Sequence, residues 1–314
     1  MTFFSHGPKD DPVTALAGAA NDGVLAVIIR VDGPSYRPVG AFMAVFPGEK
    51  RRVGTLSSGC IENDIALHAG EALKTGSPRT VLYGRGSPYI DIQLPCGGGL
   101  EILLIPRPDR ETLAILCAKH AARNACTLGI DLKTGILAIS AQGETALTAT
   151  RFQVRILPDL FFYTFGKGPE AGAFATLVAS AGYPSLLLSP DEETLEQGRA
   201  TGCPVRHLKG AEWSLDLKPD EWSAVVLFFH DHEWEPPVLQ GALASQAFYI
   251  GAQGSQRARD LRLTELAKMG VGQADLNRLY GPIGLVPSAR DARTLAVSVL
   301  AEVLKVAQTL PELA

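Results

Sequence analysis

Apolar residues run almost unbroken from Val24 to Val31, between Asn21-Asp22-Gly23 on one side and Asp32-Gly33-Pro34 on the other. A run of strand length without alternation predicts a strand buried in a sheet. Ala41–Phe46 and Leu100–Ile105 read the same way, Arg79–Tyr83 and Tyr89–Leu94 alternate as strands do, and Arg52–Leu56 reads as a strand end. The period then changes. Ile61, Ile65, Ala69 and Leu73 recur every four residues, the stripe of an amphipathic helix, until Gly76 and Pro78 stop it. Pro12–Ala20 predicts a short opening helix, and Asp109–Ala122 a helix with Asp109 as its N-cap. Cys126–Leu132 and Ile136–Ser140 flank Lys133-Thr134-Gly135, a hairpin with a short turn.

Gln142–Phe152 is polar and has no strong period, so the domain boundary is expected near it, giving domains 1–145 and 155–314. Beyond it strand and helix alternate. Leu160–Phe165, Ser185–Leu188, a short stretch near Val205, Ala224–Phe229 and Ala247–Gly251 read as strands. Glu170–Ala181, Glu192–Thr201, Pro237–Ser245, Arg257–Met269 and Arg290–Thr309 read as helices. The fold class is therefore α/β: an N-terminal mixed α/β domain and a C-terminal Rossmann-like, doubly wound parallel sheet.

Composition narrows the function. The 314 residues are 46% hydrophobic and 20% charged, enough apolar material for a large core. The net charge is −4, and the one basic run is Lys50-Arg51-Arg52, which argues against nucleic acid or a membrane surface as partner. No apolar run has the length of a membrane span, and Met1–Asp11 does not read as a signal peptide. Five cysteines, an odd number with no Cys-x-x-Cys pair, fit reduced thiols in the cytoplasm and not a structural zinc site.

Two cysteines stand in loops with chemical character. Ser57-Ser58-Gly59-Cys60-Ile61-Glu62 joins a strand to a helix, and free N–H groups at a helix start lower a thiol's pKa. Leu94-Pro95-Cys96-Gly97-Gly98-Gly99-Leu100-Glu101 sets three glycines between a cysteine and a strand, which suits positive φ or close approach to a ligand. Gly166-x-Gly168-x-x-Ala171 follows a strand and opens a helix, the context of a dinucleotide fingerprint. The ribose-binding acid expected after the second strand is replaced by Ser189-Pro190, with Asp191 one step later. Gly251-Ala252-Gln253-Gly254-Ser255 is a second glycine turn before a helix, able to hold an anion on its backbone or to serve as a plain connection. His230-Asp231-His232 reads as a polar loop at the sheet edge and His68 as a partly exposed helix residue. Cys117 and Cys126 read as core residues, and Cys203 has no assigned role.

These segments resemble the xanthine dehydrogenase accessory factor family, XdhC/CoxI. Ser58-Gly59-Cys60-Ile61-Glu62 is similar to its Ser-Gly-Gly-Cys-Val-Glu segment, and Cys96-Gly97-Gly98 through Glu101 to its Gly-Cys-Gly-Gly-x-x-Glu segment. Tyr249–Ser255, Pro282-Ile283-Gly284-Leu285 and Ala296–Glu302 resemble its later motifs in the same order. The chain departs from the family at Pro169, where the family has His, and at Ser189, where it has Asp.

The resemblance implies a chaperone that binds molybdenum cofactor, supports its sulfuration with a cysteine desulfurase as sulfur source, and delivers it to a molybdenum hydroxylase. Thiolate is a fitting donor for such a metal, which makes Cys60 and Cys96 the candidate catalytic and molybdenum-ligating residues. Ser58, Gly59, Glu62, Gly97, Gly98 and Glu101 are then candidate cofactor contacts, and Gly166, Gly168, Gly251, Gly254 and Ser255 candidate contacts for a nucleotide in the Rossmann domain. High apolar content and analogy with accessory proteins suggest a homodimer. An NAD(P)-dependent oxidoreductase and a docking protein without cofactor remain the alternatives.

Overall fold

The computed structural model describes residues 11–85, 87, 94, 97–229 and 233–310. The chain divides into two compact units, Met1–Pro158 and Asp159–Ala314.

The first unit is built on a five-stranded antiparallel sheet, of strand order β3-β2-β1-β5-β4. Its strands are β1 (Val24–Asp32), β2 (Phe42–Phe46), β3 (Arg51–Val53), β4 (Arg79–Gly84) and β5 (Gly99–Pro106). Central β1 is covered on both faces, which is why its sequence is continuously apolar. Val24, Ala26 and Ile28 pack with Ile65 and Ala69 of helix α2 (Glu62–Thr75). Leu25, Val27 and Ile29 pack with Leu16 of α1 (Pro12–Ala17) and with Leu113 and Leu116 of α3 (Arg110–Ala121). Asp109 caps α3 through the Thr112 N–H at 2.8 Å, as expected, and Gly76 closes α2 at φ 69°.

A second antiparallel sheet, of order β7-β6-β9-β8, adds Leu128, Phe152 and Val154 to the same core. It comprises β6 (Cys126–Asp131), β7 (Leu137–Ser140), β8 (Ala146–Leu147) and β9 (Arg151–Ile156). The stretch Gln142–Phe152, read as a boundary, contributes β8 and the start of β9. Phe152 pairs with Ile130, so this stretch belongs to the first unit. The strand expected at Tyr89–Leu94 lies, apart from Leu94, outside the described residues.

The second unit is a six-stranded parallel sheet of order β12-β11-β10-β13-β14-β15. Counted within the unit this is 3-2-1-4-5-6, the doubly wound Rossmann order. Its elements are β10 (Phe161–Gly166), α4 (Pro169–Ser180), β11 (Ser185–Ser189), α5 (Glu192–Ala200), β12 (Val205–His207), β13 (Ser223–Phe228), α6 (Glu235–Leu243), β14 (Tyr249–Ala252), α7 (Gln256–Lys268), α8 (Gln273–Leu276), β15 (Leu279–Tyr280) and α9 (Ala292–Ala307). Phe162, Phe174 and Val299 fill the face under α4 and α9; Phe165, Val238 and Leu266 fill the face under α6 and α7. No helix among the described residues is long and apolar enough to cross a membrane.

One buried ion pair ties α6 to α7. Arg262 and Glu235 side chains are each 3% exposed and meet at 2.8 Å, and the same Arg262 nitrogen donates to the Gln253 carbonyl at 2.8 Å. Removing one partner strands the other charge. Arg262→Met is expected to cost about 3–5 kcal/mol in urea unfolding, and the double variant Glu235→Met/Arg262→Met to recover most of that loss. Equal destabilisation by the single and double variants would show that the pair is not the source of the cost.

Candidate functional site

Antiparallel pairing brings three connections of the first sheet to one end of its strands. The ends of β1, β3 and β4 and the starts of β2 and β5 all lie there, as the pairs Asp32↔Gly99, Gly84↔Gly99 and Ala44↔Val53 show. The turn carrying Cys60 and the glycine segment Gly97–Gly99 therefore leave from the same end of the sheet, from β3 and β5, which β2 and β1 separate. Cys96 itself lies outside the described residues.

The Cys60 turn is organised from beneath by Glu62. Its carboxylate, in a residue 6% exposed, accepts the Leu56 N–H at 3.0 Å, the Ser57 N–H at 2.8 Å, the Ser57 hydroxyl at 2.6 Å, the Ile61 N–H at 3.2 Å and the Thr55 hydroxyl. The chain turns at Gly54, φ 82°, and the Leu56 and Ser57 amides go to the carboxylate and not to the ladder, so β3 ends at Val53. Leu56 and Ile61 anchor the turn in the core below α2. Above them Ser58, Gly59 and Cys60 are exposed, with Ser58 at φ 61° and Gly59 at φ 105°. Among the described cysteines, Cys60 is the exposed one; Cys126 and Cys203 are buried, and Cys117 is half-buried beside the Thr14 hydroxyl at 3.5 Å. Burial pushes the Cys117 and Cys126 thiols up, as fits core residues.

The glycines of the second segment answer to the chain's own packing. A Cβ on Gly98 would sit 2.1 Å from the Pro34 carbonyl oxygen, and one on Gly84 would sit 2.1 Å from the Gly98 oxygen. Three backbones thus interlock where a side chain has no room. Gly97 is exposed at φ 71° and donates its N–H to the Leu94 carbonyl at 2.9 Å. Glu101 alternates along β5 with Leu100 and Ile102, which pack toward α2, and so faces the opposite side of the sheet. There it pairs with Arg30 at 3.3 Å. The structure brings Ser58, Gly59, Cys60, Gly97 and Gly98 to one end of the sheet, turns Glu62 inward and places Glu101 on the other face from α2. His68 is buried, contrary to expectation, because α2 turns it toward Asp64 at 3.3 Å and Glu71 at 3.4 Å; Asp64 also accepts the buried Tyr83 hydroxyl at 2.7 Å.

In the second unit Gly166 approaches the neighbouring strand too closely for a side chain: a Cβ would lie 2.6 Å from the Phe228 carbonyl oxygen. The Gly168 N–H, which a pyrophosphate would use, donates to the Thr194 hydroxyl at 2.8 Å. That hydroxyl donates in turn to Asp191 at 2.5 Å, and Asp191 caps α5. The acid nearest the ribose position is therefore engaged as a cap. At the other turn Ser255 caps α7 through the Ala258 N–H at 3.2 Å, and Gly254 at φ 143° passes beside Arg262. Gly251 has Tyr249 and Ile283 against it. His230-Asp231-His232 lies outside the described residues.

Sequence reasoning missed Thr55, Ser57 and Thr194 as anchors. Hydroxyl residues shortly before the helix-starting Glu62, and a Thr three residues after the Asp191 cap, were the only signals. It also missed the reason behind the late motifs: Glu302 of α9 accepts the Tyr249 hydroxyl and the Gly284 N–H, each at 2.7 Å, and Ser298 accepts the Val286 N–H at 2.7 Å. No cluster of three or more His, Cys, Asp or Glu suited to a metal ion occurs among the described residues.

Comparison with known proteins gives a consistent set of likenesses. The XdhC and CoxI family matches residues 16–84, and the XdhC Rossmann domain matches residues 162–303. The molybdenum cofactor insertion chaperone PaoD of Escherichia coli is 34% identical over 284 residues, which cover 90% of this chain and 83% of PaoD. A Bacillus subtilis protein named as a probable component of xanthine dehydrogenase is 23% identical over 331 residues, 93% of this chain and 95% of that protein. A solved structure described as a xanthine dehydrogenase from Bacillus halodurans shares the fold, with a TM-score of 0.77 at 21% identity, covering 96% of this chain and 97% of that one.

The buried Glu62 carboxyl sets a pH dependence. Burial alone would push it up; the Ser57 and Thr55 hydroxyls and the Ser57 N–H outweigh burial and bring it from 4.5 down to about 2. A carboxyl depressed on folding adds stability above its unfolded value and loses it as pH falls through the folded one. The contribution is about 3 kcal/mol, lost between pH 4.5 and about 2. Glu62→Gln cannot titrate, so urea midpoints followed down this window are expected to fall less steeply for the variant than for the wild type. Parallel slopes would remove Glu62 from the acid response.

Proposed function

The chain belongs to the XdhC and CoxI family, and from that premise we propose that it is a molybdenum cofactor chaperone that binds the cofactor, supports its sulfuration and inserts it into a molybdenum hydroxylase. The cofactor is cargo here. The observation that carries the reading is the exposed Cys60 on an internally braced turn, at the same end of the sheet as the glycine segment that follows Cys96 in sequence. Thiolate sulfur is a soft donor suited to such a metal centre, so Cys60 and Cys96 are the proposed ligands. Exposed Ser58, Gly59 and Gly97 offer backbone where a flat pterin can approach, while buried Gly98 fixes the rim by packing against Pro34. The relative PaoD, an insertion chaperone by name, supports the same reading at 34% identity.

The partners follow from the cargo. The client is a molybdenum hydroxylase, the sulfur comes from a cysteine desulfurase, and the work is done in the cytoplasm by a homodimer, which light scattering tests directly. A hydride-transfer enzyme is disfavoured by the bond between the Gly168 N–H and Thr194, because it takes a donor that a dinucleotide phosphate needs. The second unit is assigned only weak contact with a phosphate-bearing ligand, at Gly166–Gly168 and Gly251–Ser255.

Cys60→Ser and Cys96→Ser, each shown to fold, are expected to lose bound pterin and to leave a co-expressed hydroxylase inactive. If both variants keep the cofactor and yield fully active client, the thiols have no part in the transfer. Calorimetric titration with NADH is expected to show no micromolar binding; such binding together with hydride transfer would restore the oxidoreductase reading.

A further inference from the structure

We infer that Glu62 is a positioning residue: its carboxylate holds the Ser58-Gly59-Cys60 tip in the shape in which Cys60 meets the cofactor, and makes no contact with the cofactor itself. The inference rests on the proposed role of Cys60 and assigns Glu62 a different part from a cofactor contact.

Acceptor capacity sets the first limit. An ionised carboxylate offers about four lone-pair directions. Glu62 already receives three N–H and two O–H donors from Thr55, Leu56, Ser57 and Ile61. All of them belong to the turn that carries Cys60. At 6% exposure the carboxylate has neither the capacity nor the access to take a pterin nitrogen.

The bracing extends upward by one more link. The Thr55 hydroxyl, while donating to Glu62, accepts the Ser58 N–H at 3.0 Å, so the first residue of the tip is fixed through the carboxylate. The tip then passes through two residues of positive φ, Ser58 and Gly59. Nothing lies within 4 Å of the place where a Gly59 Cβ would be, so no neighbouring segment among the described residues holds the tip from that side. Its shape is set by the layer beneath: Leu56 and Ile61, 0% and 1% exposed, as apolar anchors, and Glu62 as the polar one. Withdrawing an acceptor from that layer leaves buried N–H groups unmet, and the turn must reopen to find water.

The test is a double-mutant cycle in the full chain, with Cys60→Ser, Glu62→Gln and both together. Two quantities are read: molybdenum cofactor retained on purification, and the rate of Cys60 alkylation by iodoacetamide, mapped by mass spectrometry. Glu62→Gln is expected to fold, to alkylate at a changed rate, and to lose at least about tenfold in cofactor retention, since a misplacement of about 1 Å costs about a hundredfold at a reacting group. Added to Cys60→Ser it is expected to cause no further loss. Thr55→Val, which keeps the carboxylate and removes one brace, is expected to shift both readings the same way by less; it carries the test if Glu62→Gln does not fold. Wild-type alkylation and retention in the Glu62 and Thr55 variants would overturn the inference. Additive losses would overturn it too, by showing that Glu62 meets the cofactor independently. Full retention in Cys60→Ser would instead sink the thiol reading on which it rests, a separately visible failure.

Discussion

A charge withdrawn from water has to be met by donors, and Glu62 meets this requirement from a single turn of chain. The consequence runs in both directions. The carboxylate is stable in the core because Thr55, Leu56, Ser57 and Ile61 converge on it, and their polar groups are met away from a strand ladder because the carboxylate is there. It ends β3, sets the entry of α2 and lifts three small or reactive residues into solvent. The same logic recurs in the second unit with the Arg262–Glu235 pair and with Glu302. In each case an acid that is buried, or half-buried as Glu302 is, organises segments distant in sequence or irregular in shape.

The second constraint is steric. Between Pro34, Gly84 and Gly98 the backbones touch closely enough that no side chain fits, so the glycine run is fixed by the protein's own interior. This does not conflict with a ligand beside it. A rim made of interlocked backbone is rigid, and rigidity is what a site for an extended, flat cargo needs.

Much of this was legible in the sequence. The continuous run Val24–Val31 announced a strand covered on both faces, and the alternation after Leu160 announced the doubly wound sheet. The Cys60 turn was legible as a strand-to-helix junction. What escaped was of a different kind. β8 has two residues, so pairing with β9 and not local pattern makes it a strand; β9 alternates polar and buried apolar residues from Arg151 to Ile156, but the expected boundary fell across its start. Glu62 and Glu101 both read as cofactor contacts, yet one is turned under its own loop and the other faces away from α2. Direction on a sheet depends on register, and register is a property of two strands. Thr194 could not be linked to Gly168 from sequence because 26 residues separate them.

The bond from Glu302 to Tyr249 and Gly284 carries a consequence for synthesis. Tyr249 is fully buried on β14, its hydroxyl pushed up by burial and by the carboxylate it faces, while its partner sits in α9. As the chain leaves the ribosome, the edge of the parallel sheet stays incomplete until α9 has emerged. The first unit, whose core partners all precede Pro158, is finished long before. A nascent chain would therefore present a folded N-terminal unit tethered to an unfinished one until α9 has joined β14.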